Sequence, residues 1–122
     1  MPQKYVDLQG LLKKQLGVTT YERISAAGVT VGVAASRVVR QNPNRVAFVF
    51  VNLSVNTIYI SPIITPSATR GIRVGPSGGL LRVVWDEDFS LTGYEWNAVA
   101  SAAASEYFLI ELLTAPEEEE AP

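Results

Sequence analysis

Residues 37–61 read RVVRQNPNRVAFVFVNLSVNTIYIS. The apolar run VAFVFVNL (46–53) is bracketed by RQNPNR before it and SVNT after it, and IYIS (58–61) follows. That bracketing decides the fold class. Pro43 has no N–H to give to a ladder and pushes Asn42 toward an extended conformation. Asn42 and Asn44 favour turns through bonds from side chain to backbone. Runs rich in β-branched and aromatic residues, cut by such corners, read as strands. The run 46–53 is apolar on both faces, so both are expected to be covered. Phe48 and Phe50 share one face, and Val49 and Val51 share the other.

The same grammar extends outward in both directions. VTVGVAAS (29–36) alternates and reads as a strand, followed by the break at Pro43. Downstream, PIITPSATRG is a loop, GIRV (71–74) a short strand and GPSGG (75–79) a glycine corner. LLRVVW (80–85), YEWNAVA (94–100) and EYFLIELL (106–113) are further strands, separated by DEDFSLTG and SAAAS. The expected fold is all-β: a β-sandwich or jelly roll of about seven or eight short antiparallel strands. It spans residues 28–114, preceded by an N-terminal helix or arm over 1–27 and followed by an acidic tail at 115–122. The helix is placed at 4–16, KYVDLQGLLKKQL, where Tyr5, Leu8, Leu12 and Leu16 form one apolar stripe. Gly17 suits its C-cap, and Lys13 and Lys14 suit the negative end of its dipole. A helix this short is marginal alone in water, so it is expected to dock, on another chain or on a particle.

Composition sets limits. A chain of 122 residues is one domain with enough length to bury a core unaided. Formal net charge is −2, and four of the acidic residues form the run EEEE at 117–120. Without them ten basic side chains face eight acidic ones, a balance of +2. No clustered basic patch suggests nucleic acid. Without cysteine there is no disulfide framework or thiolate site, and without histidine the commonest general base and zinc ligand are missing. No apolar run is long enough to span a bilayer, and the first ten residues lack the core of a signal peptide. The chain is expected to be made and kept in the cytoplasm, without cofactor or metal.

The candidate constellations are few. Asp86, Glu87 and Asp88 form a cluster that reads as a plain loop, with a cation site as the other reading. GPSGG matches neither a nucleophile elbow nor a phosphate loop, and reads as a hairpin corner. Tyr94 and Trp96 are two apart and so share a strand face; they suit a core, a subunit interface or a sugar-stacking platform. Arginine outnumbers lysine seven to three, which favours protein contacts. Arg40, Asn42, Arg45, Arg70 and Arg73, with Tyr94, Trp96 and the stripe of Tyr5, Leu8, Leu12 and Leu16, are the candidate subunit-interface residues.

The order VVRQNPNRVAFVFVNLSVNTIYIS, TRGIRVGPSGG, YEWNAVAS, YFLIEL resembles small β-sandwich structural proteins of tailed-bacteriophage particles. The shared scheme is an N-P-x-R corner (42–45), an apolar strand ending in Asn52, and Ile58-Tyr59-Ile60. Gly71-Ile72, the corner 76–79, Trp96-Asn97-Ala98 and Leu109-Ile110-Glu111 follow. It covers about residues 29–112. The resemblance implies a head decoration or fibre-base subunit in the virion, assembled in the host cytoplasm. It also implies partners in the capsid protein and in further copies of the chain, with a trimer as the first expectation. The segment before residue 28 would be an anchoring arm. No catalytic motif comes with it, and neither nucleic acid nor membrane is an expected partner. The alternative is a carbohydrate- or receptor-binding module of a virion, with Tyr94 and Trp96 as its platform.

Overall fold

The centre of the molecule is the strand built from the opening stretch. In a computed structural model that describes residues 19–114, Arg45–Asn52 is an eight-residue strand whose Phe48 and Phe50 are buried. The other strands are β1 (Thr20–Ile24), β2 (Thr30–Val31), β3 (Ser36–Val39), β5 (Ile58–Ser61), β6 (Ile72–Val74), β7 (Leu80–Val84), β8 (Trp96–Ala100) and β9 (Ser105–Thr114). The central strand is β4. A single helical turn, Trp85–Asp88, and a 3-10 segment, Phe89–Gly93, join β7 to β8. No described helix is long and apolar enough to cross a membrane.

The pairing is nested. β1 pairs with β9, β3 with β8, β4 with β7 and β5 with β6, all antiparallel. Such nesting is one long hairpin rolled up. Two further ladders, β4 with β9 and β5 with β8, close the roll into two sheets, β1-β9-β4-β7 and β3-β8-β5-β6. This is the strand order of a jelly roll, the finer of the two architectures expected. The inner faces meet in one core: Phe48 and Phe50 from β4, Ile58 and Ile60 from β5, and Trp96 and Ala98 from β8. Phe48 meets Trp96 edge to face at 5.4 Å, and Phe50 stacks on Tyr107 at 5.1 Å.

Beyond shifts of one or two residues at strand ends, such as β8 starting at Trp96 rather than 94, two regions differ from the sequence reading. The sandwich begins at Thr20 rather than residue 28, because β1 pairs with β9 from Thr20 opposite Thr114 to Ile24 opposite Ile110. TYERI lies on a sheet edge with four of its five residues exposed, so it carries no apolar alternation to betray a strand. VTVGVAAS is not one strand. Thr30–Val31 pairs with β9, continuing the β1 edge, residues 32–35 then cross to the other sheet, and Ser36 already pairs there with Ala98. The crossing is fastened by the Ala100 N–H of β8, which donates to the Gly32 carbonyl at 2.8 Å. The helix expected at 4–16 and the tail at 115–122 lie outside the described residues.

The glycine corner between β6 and β7 has the positive φ expected of it at Gly78, 107°, and at Ser77, 58°, and at Gly79 it is tight for a second reason. A Cβ on Gly79 would stand 2.7 Å from the backbone nitrogen of Gly75, inside the contact distance. Gly79→Ala is therefore expected to lower stability by about 1–3 kcal/mol, the usual range for overpacking. Urea unfolding checks this, and an unchanged midpoint would show that the corner yields freely.

Candidate interaction surface

The two corners of the opening stretch lie at opposite ends of the sandwich. Strands alternate in direction, so loops 32–35, 53–57, 75–79 and 101–104 gather at one end, and loops 40–44, 62–71 and 85–95 at the other. Hydrogen bonds tie each group together. At the first end Gly78 N donates to Asn52 O, Ser77 N to Ser54 O, and Ser101 N to Thr57 O, at 2.7–2.9 Å. At the second, Asn42 N donates to Gly93 O at 2.9 Å, and Asn97 Nδ2 donates to Ile63 O at 3.1 Å. The described chain also starts and stops at this second end, where Thr114 N donates to Asn44 O.

An asparagine makes each corner. Asn42 Oδ1 accepts from Asn44 N at 2.9 Å, the local turn its residue type favours. Asn52 is wholly buried and uses its amide on both sides. Its Oδ1 accepts from Ser54 N and Ser54 Oγ, and its Nδ2 donates to the carbonyls of Asn56 and Val74. Asn56 in turn donates to Ser105 Oγ, which donates to Ala102 O. The first end is thus a preformed platform, not a set of independent loops.

Arg45 holds the second end. Its Nε donates to Glu111 Oε2 at 2.9 Å, its Nη1 to the carbonyls of Thr92 and Tyr94, and its Nη2 to the carbonyl of Arg40. Glu111 also accepts from Arg23 Nε at 3.0 Å, completing an Arg–Glu–Arg chain. Burial pulls the pKa of Arg45 down while the bond to Glu111 opposes it; the bond to Glu111 pushes that of Arg23 up. Depressions flank this chain. One of about 300 Å³ is lined by Gln41, Pro43, Arg45, Ser90, Thr92 and Tyr94, among others. The other, of about 320 Å³, opens beside Arg23, Val38, Arg40, Leu109 and Glu111.

The expected interface residues therefore separate. Arg40, Arg70 and Arg73 are exposed, Arg73 on the edge strand β6 and the other two at the second end. Arg40, Asn42, Arg45 and Tyr94 are brought together there. Two of the candidates are corrected. Arg45 has no exposed side-chain surface and serves as an internal fastener, because its fork is used up by Glu111 and three carbonyls. Trp96 is 2% exposed and packs on Phe48, with its ring N–H donating to Leu91 O at 3.0 Å. Tyr94 is 46% exposed and precedes β8, so the two aromatics form no shared platform. Tyr5, Leu8, Leu12 and Leu16 lie outside the described residues. The acidic cluster sits on the helical turn, where Asp88 Oδ2 accepts from Val84 N at 2.9 Å. Among the described residues, no group of three His, Cys, Asp or Glu is placed to share a metal ion.

What sequence reasoning missed is the first end. Its four loops, 32–35, 53–57, 75–79 and 101–104, contain no charged residue, in a chain that is 18% charged. Val33, Leu53, Val55 and, at the start of β7, Leu80 are exposed there, Val55 at 82%. Exposed apolar residues occur at the second end too, Ile64, Trp85 and Leu91, but they stand among Arg40, Arg70, Asp86, Asp88 and Glu95. The signal was present as four charge-free stretches. Only the roll brings them together. Compared with family models, curated proteins and solved structures, the chain finds no significant match.

Proposed function

We propose that this protein is a structural component of a bacteriophage virion that decorates or stabilises the capsid by binding across its subunits. The observation that carries the reading is the loop end whose four loops hold no charged residue and whose Val33, Leu53, Val55 and Leu80 are exposed. An apolar patch with charge only at its margin, here Glu106 and Arg73, is costly to leave in water and inexpensive to desolvate against a protein. Its loops are already fastened to one another, so little ordering is lost on contact. The partner is inferred from the resemblance of the motif order to phage β-sandwich proteins alone: capsid protein, with further copies of this chain beside it, a trimer being the first expectation. The role is binding, not catalysis, and the place of action is the virion.

Co-sedimentation with purified capsid shells of the producing phage tests it. Val33→Asp combined with Val55→Asp is expected to weaken attachment at least tenfold with the circular dichroism spectrum unchanged, because central apolar anchors dominate such interfaces. Tyr94→Ala is expected to have no effect. Undiminished attachment by the double variant would remove the loop end from the reading. A monomer by light scattering that ignores shells yet binds glycans through Tyr94 would replace it with the carbohydrate-binding alternative.

A further inference from the structure

The outer face of the β1-β9-β4-β7 sheet is apolar from strand to strand. In β9, Leu109, Glu111 and Leu113 are buried inward, so Phe108, Ile110 and Leu112 point outward. In β4, Phe48 and Phe50 point inward, so Ala47, Val49 and Val51 point outward. The register sets Phe108 beside Val51, Ile110 beside Val49 and Leu112 beside Ala47. The edge strands extend these rows with Ile24 on β1 and Leu80 and Val84 on β7. The charges on this face, Glu22 and Arg82 on the edge strands and Glu106 near the start of β9, stand at its margins. An antiparallel sheet with one face in water alternates apolar and polar residues, and this one does not.

We propose that residues 4–16 of the same chain lie across this face as a helix. The occupant is identified by its pattern, its length and its tether. The segment carries the stripe Tyr5, Leu8, Leu12 and Leu16, with Asp7 and Lys14 on the opposite side. As a helix it is about 20 Å long, against roughly 15 Å between the outer strands of a four-stranded sheet. The chain enters the sheet at Thr20, on β1, the edge of this same sheet. Residues 17–19 alone separate the stripe from that strand, a reach of about 10 Å. So short a tether gives an effective concentration on the order of millimolar, which favours the chain's own face over a second copy at micromolar protein. Charge agrees: Lys13 and Lys14 sit at the tethered end, and Glu22 lies on the tethering strand. The helix then closes the domain rather than reaching for a partner, and Val33, Leu53 and Val55 of the loop end remain open. This assignment is independent of the proposed virion role.

The absence of cysteine makes the test direct. Full-length Leu12→Cys/Val49→Cys and Leu12→Cys/Ile110→Cys variants are oxidised at micromolar concentration, with Leu12→Cys/Val55→Cys as the control. The expected result is a disulfide within one chain in at least one of the first pair and none within a chain in the control. Disulfides that form only between chains, or none at either outer-face position, overturn the proposal. Leu12→Asp on the otherwise unchanged chain is the second measurement. It is expected to raise the fluorescence of an apolar-surface dye several-fold with near-ultraviolet dichroism retained. An unchanged dye signal overturns the proposal as well.

Discussion

Phe50→Ala is expected to lower the stability of this domain by about 3–5 kcal/mol, the range for emptying an aromatic site in a packed core. For a chain of this size the corresponding fall in Tm is roughly 10–20 °C. Phe50 is wholly buried and stacked on Tyr107, and two residues earlier Phe48 meets Trp96 edge-on. The loss is large because of where β4 sits. It is an inner strand of its sheet, bonded to β9 on one side and β7 on the other, so its neighbours cannot close over a cavity without breaking a ladder. Phe48→Ala is expected to fall in the same range. Thermal melts followed by circular dichroism decide it. A shift of a degree or two for both variants would show that the core is not organised around this strand.

The legible part of the fold was the part written in local chemistry. Pro43, Asn42 and Asn44 announce a corner whatever surrounds them, and Ile58–Ser61 has the limits read from sequence. Strand β4 differs by one residue at each end. β1 was not legible, since a half-wet edge strand such as TYERI is specified by its partner rather than by its own alternation. The crossing at 32–35 was hidden for a related reason. A small-residue run with β propensity reads the same whether it stays in one sheet or moves between two. The candidate surface was less legible still. Arg45 and Trp96 have the residue types that interfaces favour, and both are consumed inside the domain. Burial of an arginine or a tryptophan depends on which carbonyls the fold brings within reach, and spacing along the chain does not encode that. The end with the charge-free loops poses the converse problem: each of its loops is unremarkable alone, and their convergence is a property of the nested pairing.

Arg45→Met is the substitution expected to do most damage away from the apolar core, at about 3–5 kcal/mol, the range for removing one partner of a buried ion pair. The side chain has no exposed surface and Glu111 very little, so the carboxylate left behind would be shielded from water, with only the more exposed Arg23 beside it. The carbonyls of Arg40, Thr92 and Tyr94 would lose their donor at the same time. Those three belong to the 40–45 corner and the 85–95 crossing, so the second end of the sandwich should open first. Hydrogen exchange is expected to rise there and to stay unchanged at the Asn52 end, which has its own network. Arg45→Lys should recover only part of the loss, because an ammonium is a point charge and cannot span four acceptors as the guanidinium fork does. Adding Glu111→Leu to Arg45→Met removes the stranded charge. The double variant is therefore expected to be less destabilised than the sum of the single changes, with a coupling of about 1–3 kcal/mol. If Arg45→Met costs under 1 kcal/mol, or the two changes simply add, the buried pair is not what fastens this end.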